Sequence, residues 1–268
     1  EEAEKKSHML AQVVEQSPST ILITDIDANI EYVNSAFTRI TGYLPFEVIG
    51  KNPRILHSDK TPLEDYVVMW HFLTQGKSWV GEFINKRKNG EEFIEEIHIS
   101  PLRDPDGKTI HYAAIKEDVT EQKAIYTSAN FDVLTKLPNR ANFNEHLQRA
   151  LALSKQQESV FSLMFLDLDH FKDVNDSLGH AVGDLLLINA SNRIKLALRE
   201  EDLVSRLGGD EFVILVTYLG EEEEKAREEL HKIATKLLSV LSQPYHFGSH
   251  YHSFTHICSA SIGGTLFL

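Results

Sequence analysis

The stretch RLGGDEFVIL, Arg206 to Leu215, sets two glycines, two carboxylates and a four-residue apolar run in direct succession. Adjacent glycines tolerate positive φ and carry no Cβ, so they suit a tight hairpin turn that something bulky can approach. The apolar run after them reads as a buried strand. Upstream, FLDLDHFKDVND (Phe165 to Asp176) puts Asp167 and Asp169 at the end of a second apolar run, SLMFL. Strand alternation sends those two side chains to one side, and open α/β sheets bind ligands outside the carboxyl ends of their strands. Carboxylates converging from both runs would repel one another unless a hard cation such as Mg²⁺ sat between them. Metal beside bare backbone is the chemistry of a polyphosphate site. The same letters also describe a plain hairpin bearing exposed acids.

Around that stretch, the pattern predicts helix 139–156, strand 160–167, helix 181–198, a strand pair about Gly208-Gly209, helix 221–242, and strands near 244 and 254–267. Helices interleaved with apolar strands point to an α/β sheet with helices on its faces. The Glu221 to Glu224 run suits a solvated first helical turn.

The first half is organised differently. Residues 8–16 carry a short amphipathic pattern that stops at Ser17-Pro18, and TILITDIDANIEYVN alternates like a hairpin around an Asp-Asn turn. Thr61-Pro62 has the form of an N-cap with proline at the first helical position, followed by an apolar face of Leu63, Tyr66, Val67, Trp70 and Leu73. From Trp79 to Glu117 the pattern is a three-stranded antiparallel meander, with Asn89-Gly90 as a two-residue turn and Asp104 to Gly107 as another. Helical periodicity returns after Asp118, and the boundary between two units is expected near residue 125.

Length and charge narrow the function. A chain of 268 residues suits two domains, and 42% apolar content supplies their cores. A net charge of −13 argues against a nucleic-acid-binding surface, which gains its affinity from clustered Lys and Arg. The single cysteine, Cys258, rules out an internal disulfide and a cysteine zinc cluster. No apolar run reaches the roughly 18–20 residues of a membrane span, and EEAEKKSHML lacks the order of a secretion signal, so a cytoplasmic location without membrane contact is expected.

With RLGGDEF, DLDHFKDVNDSLGHAVGD (Asp167 to Asp184) and DVLTKLPNR (Asp132 to Arg140) in this order, residues 132–268 resemble the GGDEF domain of diguanylate cyclases. That resemblance implies a nucleotide-cyclase-like α/β domain that condenses two GTP into cyclic di-GMP and two pyrophosphates, working as an antiparallel homodimer. It implies Mg²⁺ or Mn²⁺ held by Asp167, the Leu168 carbonyl and Asp210, with Glu211 assisting. Lys172 and the amides near His170 and Phe171 would hold phosphates over the Gly208-Gly209 turn, and Asn175 and Asp184 would read the guanine edge. An aspartate can accept from guanine's ring N–H and amine, and an asparagine can donate to its ring acceptors. Arg199 and Asp202, in REED five residues before Gly208, match the family's R-x-x-D site where cyclic di-GMP inhibits. A charged helix end gives the same letters.

Other patterns compete or depart. Asp173 to Asp184 has the length of a calcium loop, but Leu178 replaces its glycine and the last position is Asp. GKS at Gly76 to Ser78 lacks the leading glycine and following helix of a P-loop. Histidines 246, 250, 252 and 256 lack a fixed ligand spacing and read as solvated. Lys136 stands where the family usually has glycine, and the family's last helix would fall beyond Leu268, so the stretch is expected to be a piece of a longer protein. A silent GTP- or cyclic di-GMP-binding module governing a phosphodiesterase domain is the alternative function.

YVNSAFTRITGY, GKNPRIL, WVGEFINKRKNG and DVTEQ resemble a PAS domain over nearly all of residues 8–122, so residues 1–122 are expected to form a PAS sensor with an N-terminal helix, and residues 123–131 a connecting helix. The resemblance implies a five-stranded antiparallel sheet with flanking helices around a ligand pocket. The run through Trp70 and Asn85 looks most like the flavin-binding PAS subgroup, in which such a Trp and Asn face an FAD ring. Leu22 and Pro53 stand where polar flavin contacts can occur, Trp70 would equally serve as core, and Asn85 could satisfy backbone alone. A cysteine adduct is excluded because Cys258 lies in the other half, and nothing supports haem on His57 or His71.

Overall fold

The computed structural model describes residues 1–157, 159–249 and 252–267. The chain divides into two compact units, Glu1–Ala124 and Ile125–Leu268. No helix among the described residues is long and apolar enough to cross a membrane.

The first unit opens with helix α1 (Glu2–Glu15) and a hairpin, β1 (Thr20–Thr24) and β2 (Ile30–Val33). The turn between them is held by Asp25, whose Oδ1 accepts from the Asp27 and Asn29 amides. Short helices α2 (Ser35–Thr41) and α3 (Pro45–Val48) and a 3-10 turn at Pro53–Leu56 lead to α4 (Leu63–Thr74). Strands β3 (Trp79–Lys86), β4 (Glu92–Arg103) and β5 (Thr109–Asp118) complete a five-stranded antiparallel sheet ordered β2-β1-β5-β4-β3. This is the PAS-type sheet expected from the sequence.

Three local expectations are corrected. Thr61 does not cap α4: Pro62 holds the N-cap position, and the buried Thr61 hydroxyl instead donates to Ile84 O and accepts from Ile84 N. That ties the helix entry to β3. The apolar face of α4 is also rotated, with Leu63 and Val67 exposed at 72% and 68% while Met69 and Leu73 are buried. Helical spacing alone does not say which of two apolar stripes meets the sheet. Finally, Asn89-Gly90 sits within a longer connection closed by Arg87 N donating to Glu91 O, with Gly90 at φ +90°.

Helix α5 (Thr120–Asn130) leads to α6 (Arg140–Gln157), strand β6 (Phe161–Leu168), α7 (Phe171–Leu178), α8 (His180–Ala197), the hairpin β7 (Leu203–Gly208) and β8 (Glu211–Val216), and α9 (Glu223–Leu241). Strands β9 (Tyr245–Ser249) and β10 (His252–His256) form their own ribbon, so the predicted strand 254–267 is in fact the end of β10 and a separate β11 (Ala260–Phe267). The main sheet is ordered β11-β6-β8-β7 and every adjacent pair is antiparallel.

Both faces of this sheet are covered, which is why its central strands read as continuous apolar runs instead of alternating. Met164, Leu166, Phe212 and Ile214 pack in one core with Leu186, Ala190 and Leu237 of α8 and α9. Leu163, Val213 and Leu215 pack in a second core with Phe143 of α6. At roughly 1.5–3 kcal/mol for each fully buried large apolar side chain, these two cores dominate the stability of the unit.

Candidate functional site

The β6–β8 pairing places Asp167 directly opposite Glu211. Both fall on the strand parity that carries Leu163, Val213 and Leu215, but past the end of that core, so their carboxylates are exposed. The β7–β8 turn delivers Asp210 to the same end. Gly208 has φ +149° and Gly209 φ +53°, and neither has another group within 4 Å of where a Cβ would stand. Burial, followed by the charges of Asp210, Glu211 and Asp169, pushes the Asp167 carboxyl above the ordinary carboxylate range. Like charges crowd here, and the donors are all hard oxygens. That donor set fits a divalent cation, although among the described residues no three His, Cys, Asp or Glu side chains are already gathered around a common metal position.

Asp169 departs from the expectation that it shares the site with Asp167. It lies past the end of β6, where Ser259 and Ser261 donate to its carboxylate at 2.5 and 2.7 Å and its own amide donates to Ser259 O. Those hydroxyls hold its carboxyl below the ordinary range. The effect is a latch between the end of β6 and the start of β11. Beside it, burial pushes the Cys258 thiol up to about 11, so that sulfur is an unreactive neighbour.

The turn after Asp169 puts His170 at φ +60°, as N-cap of α7. Lys172 is exposed in the first turn of that helix. Asp173 to Leu178 is helical, which disposes of the calcium-loop reading. Asn175 packs onto α8 where Gly183 leaves room, while Asp184 is exposed on the following position.

Two partners of this site went unread in the sequence. Arg206 donates through Nε and Nη2 to Gly209 O at 2.9 and 2.7 Å and through Nη1 to Asp132 Oδ1 at 2.9 Å. The motifs RLGGDEF and DVLTKLPNR, distant in the chain, are thereby bound by one guanidinium. The signal was present in both quoted motifs, but charge pairing over 74 residues has no local signature. Arg199 and Asp202 share a loop, yet the Arg199 guanidinium turns to Glu229 at 2.6 Å. Of the four histidines, His246 pairs with Thr255 Oγ1 at 3.1 Å, and His250 lies outside the described residues.

A second candidate site occupies the first unit. A cavity of about 510 Å³ is lined by Tyr66, Trp70, Phe83, Tyr112, Asn85 and Lys116 among others. Trp70 is half-buried and meets Tyr112 edge-on at 5.7 Å. Asn85 is buried, with Nδ2 donating to Glu95 Oε2 at 2.6 Å and its Oδ1 left without a partner among the described residues. Both expected residues therefore reach one cavity. His57 also lines it, whereas His71 is exposed and pairs with Gln75.

Comparison with known proteins agrees with both halves. Residues 129–266 match the family described as "Diguanylate cyclase, GGDEF domain", and residues 18–121 match a PAS domain. A probable diguanylate cyclase of Escherichia coli (strain K12), DgcE, is 31% identical over 254 residues, which is 92% of this chain and 22% of that protein. The diguanylate cyclase TpbB of Pseudomonas aeruginosa is 41% identical over 124 residues, 46% of this chain and 27% of that protein. The nitrogen fixation regulatory protein of Klebsiella oxytoca is 42% identical over 108 residues, 40% and 22% respectively. A solved GGDEF domain of the Pseudomonas protein aligns with 39% identity and a TM-score of 0.47, covering 51% of this chain and 75% of that one. This chain thus spans about a quarter or less of the curated relatives it matches.

Proposed function

Because the chain belongs to the GGDEF diguanylate cyclase family and carries a PAS domain ahead of that domain, we propose that it condenses two GTP into cyclic di-GMP and two pyrophosphates under control of a ligand in the PAS cavity. The observation that carries this reading is the register pairing of Asp167 with Glu211 beside the Gly208-Gly209 turn. It supplies crowded hard-oxygen donors next to backbone that a triphosphate can approach.

Asp167, the Leu168 carbonyl, Asp210 and Glu211 would hold Mg²⁺ or Mn²⁺, as members of the family generally use a divalent metal. When bound, the cation supplies charge stabilisation at the α-phosphate and acidifies the attacking ribose hydroxyl. Lys172 and the amides at His170 and Phe171 bind phosphate oxygens and orient the chain of phosphates. Asn175 and Asp184 fix the guanine edge. Asp210 accepts the proton of the 3′-hydroxyl, a modest contribution compared with positioning. Because each subunit holds one GTP, a homodimer brings two sites together, and GTP as substrate places the reaction in the cytoplasm. Arg199 and Asp202 would bind product and inhibit.

The PAS cavity, largely apolar with one polar wall, would take an FAD ring. Trp70, Tyr66 and Phe83 would stack around it, and the unpartnered Asn85 Oδ1 would accept from a ring N–H. Binding or redox change at that ring is the proposed signal to the second unit.

The decisive assay incubates the purified chain and the longest version of its natural protein with GTP and Mg²⁺ and follows cyclic di-GMP. Product in the wild type and none in Asp210→Ala, with unchanged circular dichroism, is the expected result. Near-wild-type turnover in the variant removes Asp210 from its role, and GTP binding without product in every version selects the silent regulatory module.

A further inference from the structure

The PAS cavity has a charged wall that neither a structural core nor hydrogen bonding by Asn85 requires. Strands β3, β4 and β5 turn Asn85, Glu95 and Lys116 inward, at 4%, 1% and 6% exposure. Glu95 Oε2 accepts from both neighbours, from Asn85 Nδ2 at 2.6 Å and from Lys116 Nζ at 3.1 Å. Only Asn85 and Lys116 reach the cavity surface, with Glu95 behind them. An ion pair taken out of water costs several kcal/mol in desolvation, and an apolar replacement of equal volume is often no less stable. Because Lys116 lines the cavity and Glu95 does not, the pair offers its positive member to the ligand space. Lys116 spends one of its three N–H donors on Glu95. Two remain for an acceptor, beside Asn85 Oδ1 as an acceptor for an N–H. The wall matches a planar ring whose edge carries an N–H next to a carbonyl or anionic atom.

We propose that Lys116, held by Glu95, sets the redox preference of a flavin in this cavity by stabilising its reduced anionic form. This rests on the FAD reading above. Two-electron reduction of the neutral oxidised ring with uptake of one proton leaves one negative charge on the ring. An ammonium facing that edge favours the reduced form, and a carboxylate behind it opposes the preference. Lys116 and Glu95 are positioning and tuning residues in this role, and neither takes part in the chemistry of the second unit.

The test uses the whole chain loaded with FAD and titrated with dithionite against a reference dye, following flavin absorbance. Lys116→Met should lower the midpoint potential by at least the ~30 mV that a tenfold loss of preference for the reduced form means for a two-electron couple. Glu95→Gln should raise it. The paired variant Lys116→Met with Glu95→Met keeps the side-chain volume without leaving a lone buried charge, and should also titrate below wild type. If the wild-type chain takes up no FAD, the cofactor reading and this proposal both fall. If it binds FAD and the three variants titrate with the wild type, or the two single variants shift in the same direction, the cofactor reading stands and the proposal is overturned.

Discussion

Arg206 and Asp132 are joined at 2.9 Å while the same guanidinium closes on the Gly209 carbonyl, so a side chain of β7 holds the glycine turn against the segment that precedes α6. Arg206 is nearly buried and Asp132 partly so. The turn that presents Asp210 is thus fixed from behind by a planar fork. Two adjacent glycines would otherwise leave that turn with large conformational freedom.

Arg206→Lys keeps the charge and loses the fork, since a lysine cannot serve a carbonyl and a carboxylate in fixed geometry at once. Turnover is expected to fall at least tenfold with little change in melting. Arg206→Met goes further and leaves Asp132 without its ion partner, a loss of about 1.5–3 kcal/mol for a hydrogen bond to a charged group. Urea unfolding and initial rates measure the two effects separately. Wild-type rates in the lysine variant would mean that the glycine turn holds its own shape.

The same contact sets an acid dependence. Burial alone would raise Asp132, but the Thr135 hydroxyl and amide and the Arg206 guanidinium together hold its carboxyl below the ordinary range. A depressed native value means that the unfolded chain binds the proton more readily. The contribution is therefore complete above the unfolded value of about 4 and fades as pH falls through the native one. Urea midpoints taken from pH 6 down to pH 3 should drop more steeply in wild type than in Asp132→Asn. Parallel curves would show that the pair contributes nothing to acid stability.

A Cβ on Gly183 would lie 2.0 Å from Asn175 Oδ1 and 3.3 Å from Phe171 Cζ. Gly183→Ala must therefore displace Asn175, the expected reader of guanine, without touching the carboxylates. Losing one neutral hydrogen bond of about 0.5–1.5 kcal/mol predicts a KM for GTP about two- to tenfold higher, a smaller effect on kcat, and weaker discrimination against ATP. Steady-state kinetics with both nucleotides decide it. An unchanged KM would remove Asn175 from base recognition.

Lys136 shows where the sequence was readable and where it was not. Its departure from the family's glycine is visible in the letters, but only the backbone reveals φ +58° at that position. Likewise, the hairpin around Gly208-Gly209 and the strand ending at Asp167 follow from composition, whereas the Asp167–Glu211 register depends on how far the strands slide. The charged wall of the PAS cavity was hidden for a related reason. On β5 the exposed Ile115 faces out and Lys116 faces in, opposite to what polarity suggests, and period-two alternation fixes which residues share a face without saying which face is the core. Lys136→Gly should relieve about 1–2 kcal/mol of left-handed strain against about 0.5–1 kcal/mol of added unfolded-state entropy. A small gain in thermal stability is expected, and a fall in melting temperature would mean that the lysine side chain compensates for its backbone.

Arg199 and Asp202 do not face a common ligand as they stand. Burial raises the Asp202 carboxyl, and its two oxygens accept the amides of Arg199 and Thr217 at 3.2 and 3.3 Å, so this residue already closes its own loop. The Arg199 guanidinium is held by Glu229 on α9. A cyclic dinucleotide arriving at the proposed inhibitory site must therefore replace Glu229 with its own phosphate. An exposed ion pair is worth about 0–1 kcal/mol, so Glu229→Gln should lower the half-inhibitory concentration of cyclic di-GMP by up to about fivefold. Arg199→Ala should raise it well beyond the wild-type value. Progress curves with added product measure both, and identical inhibition in all three proteins would place the inhibitory contact elsewhere on the chain.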